Sequence, residues 1–388
     1  MKAKGKFGKL ALLAVATSLL SLSTLATAES DAALGIRASA ATVPTNIPGI
    51  HTYAEPPKGF NPVTATDEEL ATYGFPPRPD KQAEPGHYAM WERAMKAAKI
   101  RWNGELKPLP GREHAPVPAG SSPLPEAVQS ETSAPQRIST VNASGVMLTN
   151  KQTKWSNKAS FDDISTIMTV PTAELPFDIS SCTASDYKEF SFVGIDSMVS
   201  AMGDSLGEFI PGVQGGVYAD VPCGGGGPPF YYAEFGWQYP LSRGFAVNPG
   251  DVFTAEVVVS GGSSATAYLE DLTTQTFSSY SMSTPGVIGQ NADWIVFRPC
   301  CTGSNNDPFP LANTASIFFN GGWADEGGSA GKQLYPGSQA SSTYILTMTD
   351  DGGDQNIETV NQGSSGYEGR HALFFNTDAC AFVPGCTP

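Results

Sequence analysis

Residues 291–300 read NADWIVFRPC. Apolar and aromatic side chains run unbroken from Trp294 to Phe297, and an Arg-Pro pair closes them. That is the pattern of a buried strand, and it carries one carboxylate, Asp293. Similar segments lie on either side of it: FDDISTIMTVP, FSFVGIDSMV, GVQGGVYADV, PFYYAEFGWQYP, DVFTAEVVVS, ATAYLEDL, ASIFFNGGW, STYILTMT and HALFFN. Each is short, apolar or alternating. Clusters of Gly, Pro, Asn, Asp and Ser separate them. Such spacing predicts an all-β sandwich or barrel, and the roughly 250 residues from 141 onward suffice for one domain of that kind. No helix–strand alternation and no strong internal repeat competes with this reading.

The chain begins differently. Lys2, Lys4, Lys6 and Lys9 precede the apolar run LALLAVATSLLSL, and small residues at Ala26 and Ala28 follow. That order predicts a signal peptide over residues 1–28 and a secreted protein, extracellular or periplasmic. The run is short for a bilayer span. Six cysteines (Cys182, Cys223, Cys300, Cys301, Cys380 and Cys386) fit an exported, disulfide-bearing chain, and their connectivity stays open among the 15 pairings that six allow. CxxC spacing is absent and the whole chain holds 4 histidines, so neither metal nor cofactor is expected.

Charge and proline divide what remains. Residues 141–388 hold 8 Lys/Arg against 25 Asp/Glu, whereas 29–140 hold 11 against 13. An acidic body repels nucleic acid and anionic membrane, so neither is an expected partner. Acidity also suits work at low pH, where carboxylates lose their charge. Residues 29–140 are rich in proline and hold two short helical signals. ATDEELATYGF places Thr66 three residues before Glu69, the spacing of a capping box. HYAMWERAMKAAKIRW places Trp91, Met95 and Trp102 near one helical face. Such a segment cannot bury much alone. The expectation is a propeptide that covers a groove of the body, which would make the chain a zymogen.

Several strands resemble those of the eqolisins, the glutamic peptidase family. FVGID (192–196), VQGGV (213–217), FGWQYP (235–240), GDVFTAEVVVS with ATAYLEDLTTQ, and NADWIV (291–296) look like family segments in family order. GFNPVTATDEELATYGFPPRPD resembles the precursor region of bacterial members. The resemblance implies a concanavalin-like double β-sandwich of two bent antiparallel sheets and a concave substrate groove. It further implies a secreted hydrolase, a protease acting in acid on protein or peptide as a monomer. In that family a glutamine stabilises the oxyanion and a glutamate activates water.

Carried over residue by residue, the catalytic glutamine falls on Gln214. Phe192 replaces a groove tryptophan, Asp196 matches an aspartate, and Phe235 and Trp237 lie in the aromatic run, with Trp237 in place of a glutamate. Family members have two glutamates in the strand at 291–298. The first aligns with Asp293. The second, read as catalytic, aligns with Phe297, which holds no proton. Three outcomes follow. A substitute carboxylate serves, with Asp293 the candidate and Glu234 and Glu208 nearby. Alternatively hydrolysis is lost, and the groove binds extended peptide or carbohydrate. The third is that this register is wrong, against which Arg298-Pro299 argues, because it stands where the family often has a charged residue and then proline. No GxSxG supports a serine triad. CGGGGPPF (223–230) and DDGGDQN (350–356) read as loops.

Overall fold

The computed structural model describes residues 42–109, 136–140, 143–175 without 151 and 153, 186–197, 212–237 without 224–226, 241–302, 307–308, 311–327 without 315, 333–335, 343–349, 356–362 and 373–377. The expected export signal lies outside the described residues, as do Cys182, Cys380, Cys386, Glu208 and most of the loop at 350–356. Cys223 is described and is not free. No helix among the described residues is long and apolar enough to cross a membrane.

The front segment holds β1 (Thr42–Pro44), β2 (Ile50–Tyr53), α1 (Asp67–Thr72), α2 (Pro85–Ala97), β3 (Ile100–Arg101) and β4 (Lys107–Pro108). The body follows with β5 (Gln136–Thr140), β6 (Ala143–Thr149), β7 (Phe161–Thr169), β8 (Tyr187–Ile195), β9 (Val213–Val221), β10 (Phe230–Trp237) and β11 (Ser242–Ala246). Next come β12 (Val252–Ser260), β13 (Ser264–Asp271), β14 (Thr276–Ser283) and β15 (Asn291–Phe297). A small hairpin, β16 (Cys300–Thr302) and β17 (Asp307–Pro308), precedes β18 (Ser316–Glu326) and β19 (Gln333–Leu334). β20 (Thr343–Thr349), β21 (Asn356–Gln362) and β22 (Leu373–Thr377) complete the described strands.

These strands form the expected sandwich. One layer runs β11-β10-β9-β8-β15-β6-β20, every neighbour antiparallel. The other runs β18-β7-β12-β13-β14, again antiparallel. β21 and β22 carry the ladder from β20 round to β18 and join the layers along one side. Alternation decides which side chains meet between them. In β12, Phe253, Ala255, Val257 and Val259 enter the core that the layers share, while Thr254, Glu256 and Val258 turn away from it. Trp294 is fully buried in the same core, and its indole N–H donates to the Ser165 carbonyl at 3.2 Å, which satisfies its one polar atom.

The capping box forms as its spacing predicts. Glu69 N–H donates to Thr66 Oγ1 at 3.2 Å, and Thr66 N–H donates to Glu69 Oε2 at 2.8 Å. Gly74 then turns the chain at φ +63°, where a Cβ would strike the Tyr53 ring at 2.2 Å. Trp91 and Met95 are buried on α2, but the helix ends at Ala97, and Trp102 packs instead against the sandwich core beside Phe245. Leu70, Phe75, Trp91 and Met95 close over Phe277 of β14. The Arg101 guanidinium lies 4.4 Å from the Phe277 ring centre and 5.6 Å from that of Phe75. β2 and β3 both pair with β14. The helices therefore cover the outward face of the second layer, not the face that carries Gln214. Other parts of residues 29–140 reach the first layer: β4 pairs with β11, β5 pairs with β20, Trp102 meets Phe245 of β11, and Leu109 N–H donates to the Leu241 carbonyl at 2.7 Å.

Candidate active site on the outward face of the first layer

In the register of β9, β8 and β15, Gln214 stands opposite Gly194, and Gly194 stands opposite Asp293. Directly opposed residues of antiparallel strands share a face. Gln214, Gly194 and Asp293 are thus one row, with the outer two backbones about 9.6 Å apart at two strand spacings. Gly194 keeps the middle of the row low. A Cβ there would come within 2.4 Å of Ser197 Oγ, so the glycine makes room for that hydroxyl. Ser197 Oγ donates to Asp293 Oδ2 at 2.8 Å.

On its other side, Gln214 Nε2 donates to Glu234 Oε1 at 3.0 Å. Gln214 is half-buried, whereas Glu234 is fully buried, and its Oε2 has no partner. Burial pushes the Glu234 carboxyl up to about 8, against the opposing pull of the Gln214 amide. A neutral carboxyl here still accepts one amide hydrogen of Gln214. The second amide hydrogen is left for a partner in the groove.

Further along the same strands the face turns aromatic. Phe297 stands opposite Phe190, and Phe190 opposite Tyr218. The Phe192 ring meets Phe297 edge-on at 6.3 Å, and Phe190 lies 4.8 Å from Tyr218. Leu109 of the front segment and Leu241 pack into this cluster. The alignment that puts the family's catalytic glutamate on Phe297 does not bring that position level with Gln214. The two residues share a face but not a level, because Phe297 lies four residues along β15 from the row, about 13 Å. Asp293 holds the position level with Gln214. A shift of four residues keeps every side chain on its face, so alternation gives no warning of it.

The other expected groove residues divide. Phe192 lies on this face. Phe235 does not: it is fully buried between the layers, stacked on Tyr280 at 4.0 Å with ring planes 4° apart. Trp237 ends β10 opposite Val213, and its side chain lies outside the described residues. Asp196 is fully buried at φ +57°. Its Oδ2 accepts the N–H groups of Ile288 and Gly289, both at 2.8 Å, and its Oδ1 those of Gln290 at 2.7 Å and Asn291 at 3.0 Å. With four amides on two oxygens it holds the loop entering β15 and has no capacity left for a substrate. Asp196→Ala strands four buried donors. It should cost roughly 3–5 kcal/mol in urea denaturation, and activity should fall with it because Asp293 lies two residues beyond that loop. Ser197 and the bonding of Glu234 to Gln214 have no signature in the sequence; both arise from strand pairing.

The profile of the peptidase A4 family matches residues 141–365. Among solved structures, scytalido-glutamic peptidase with a peptide-based transition-state analogue is 20% identical, covering 61% of this chain and 98% of its own, at a TM-score of 0.44. SCP-B, described as an eqolisin in complex with the tripeptide Ala-Ile-His, is 19% identical over the same shares, at 0.43. The aspergilloglutamic peptidase of Aspergillus niger is 23% identical, covering 49% of this chain and 99% of its own, at 0.36. No curated protein sequence matches the chain.

Proposed function

This chain belongs to the peptidase A4 family, and from that premise we propose that it is the precursor of a secreted acid endopeptidase in which Asp293 and Gln214 act as the catalytic pair. The row Gln214–Gly194–Asp293 carries the reading. A water held over Gly194 lies within reach of both side chains. Asp293 takes a proton from that water as the oxygen attacks the scissile carbonyl carbon. The Gln214 amide hydrogen not given to Glu234 is donated to the oxyanion. Asp293 then passes the proton to the leaving nitrogen, the C–N bond breaks, and acid and amine leave. Ser197 holds Asp293 through its hydroxyl, and Glu234 holds Gln214. Phe192 and Phe297 belong to the aromatic wall along which an extended peptide lies.

The front segment, residues 29–140, acts in this reading as the propeptide. What supports that role is Leu109, planted in the aromatic cluster, rather than the helices, which pack on the other layer. The test is cleavage of a denatured protein by the purified full chain between pH 2 and 5, followed by mass spectrometry of the products. New peptide termini support the proposal. If a folded, fully processed protein cleaves nothing yet retains the same peptides on a column, the face is a binding groove without hydrolysis.

A further inference from the structure

A second cluster of ionisable groups lies on the far side of the sandwich, where α2 meets the outward face of β7, β12 and β18. Asp163 stands opposite Asp325 in the pairing of β7 with β18. Glu256 of β12 stands opposite Ser165, one row away. From above come Glu84, just before α2, and His87 of α2, whose ring stacks on Trp323 at 5.1 Å. Candidate ligand atoms of Glu84, His87 and Asp325 all lie within 4.8 Å of one another, and so do those of His87, Asp163 and Glu256. His87 is common to both sets.

Several observations separate this cluster from an ordinary acidic patch. Glu84, His87, Glu256 and Asp325 are each at least nine-tenths buried. His87 Nδ1 is engaged with Glu84 Oε2 at 3.2 Å, while His87 Nε2 is buried with no partner. Asp163 Oδ1, Glu256 Oε1 and Asp325 Oδ1 are also buried without partners. No salt bridge among the described residues brings a lysine or arginine to Asp163, Glu256 or Asp325. A small cavity lined by His87, Glu256, Glu270 and Tyr268 lies alongside. Burying several carboxyls together without a cation is costly.

We propose that this cluster binds one divalent cation through imidazole and carboxylate, with His87, Asp163 and Glu256 as ligands and Glu84 and Asp325 beside them, and that the ion ties the front segment to the body. A histidine whose Nδ1 is held by a carboxylate presents Nε2 as a metal ligand in the usual way. One nitrogen with two or more carboxylate oxygens suits zinc or manganese better than calcium, which prefers an all-oxygen shell. The ligands come from three separate stretches of the chain, which explains why no spacing motif announces them.

The test uses the intact full chain, stripped with a chelator, dialysed and loaded with Zn2+ or Mn2+ at pH 7. Elemental analysis after desalting should return one ion per chain, and the thermal midpoint should rise by several degrees over the stripped protein. Asp163→Asn with Glu256→Gln should abolish both effects. These isosteric changes remove charge from a crowded site, so the stripped double variant should melt no lower than the stripped wild type, which separates lost binding from lost folding. His87→Gln should weaken retention at least tenfold. Wild type that retains no ion overturns the proposal. So does a double variant that retains the ion and its melting shift unchanged; either result leaves the cluster holding protons instead.

Discussion

Asp293→Asn is expected to lower kcat/KM for peptide cleavage by about 10²–10⁴, the usual worth of a positioned acid–base group, with the thermal midpoint nearly unchanged. The amide keeps the shape of the carboxylate and one acceptor oxygen for Ser197, so the loss reports proton transfer rather than packing. Gln214→Ala should cost about 10²–10³ in kcat, the range for one oxyanion donor, and KM should move little. The double variant should be barely worse than Asp293→Asn alone, because groups acting on one water are not additive. Two controls separate this site from the register that the resemblance implies. Asp293→Glu lengthens the side chain by one methylene toward the row and should keep activity within about tenfold. Phe297→Leu should keep most of kcat if residue 297 lines the wall, as proposed, and is not the base. If Phe297→Glu raises hydrolysis while Asp293→Asn leaves it intact, the row assigned here is not the active site.

Single residues show how far the fold and the site are legible in the sequence. Alternation in DVFTAEVVVS gives the inward and outward sides of β12 correctly, because the period of a strand is two and the core is apolar on one side. The Thr66–Glu69 spacing gives the start of α1, because a capping box is a local device. Motif order alone places Phe192 on the face that carries Gln214. What escapes the sequence is non-local. An aromatic run contains residues for both faces, so FGWQYP does not say that Phe235 turns inward to Tyr280. Asp196 looks like a groove acid from sequence, yet four backbone amides reach it from a loop more than ninety residues away. The level of Gln214 against Asp293 depends on two successive pairing registers. Motif matches fix strand identity and face, and they leave a four-residue offset undetected. The carboxylate cluster under α2 is assembled from distant segments and has no sequence signature.

Stability should be greatest in acid and fall steeply as the pH rises from about 5 to 8. Three carboxyls away from the His87 cluster contribute to this. Burial pushes Asp196 up to about 6 from 3.8, Glu189 up to about 7 from 4.5, and Glu234 up to about 8 from 4.5. The folded chain therefore binds more protons than the unfolded chain between these values, and stability must decline with pH across that interval. The contribution is complete below the unfolded values near pH 4 and is lost as the pH passes each folded value. A tenfold difference in proton affinity between the folded and unfolded chain is worth about 1.4 kcal/mol. The rise at Glu234 is alone comparable to a large part of a typical net stability of about 5–15 kcal/mol. Repulsion among the 25 carboxylates of residues 141–388, set against 8 basic residues, acts in the same direction once they ionise. Thermal midpoints of chelator-treated protein should thus drop by well over ten degrees from pH 4 to pH 8, and Glu234→Gln should flatten the curve by melting higher than wild type at pH 8. A midpoint at pH 8 equal to that at pH 4 would mean that water reaches these carboxyls. The protein would then lack the acid-adapted interior that a hydrolase working through an aspartate at low pH requires.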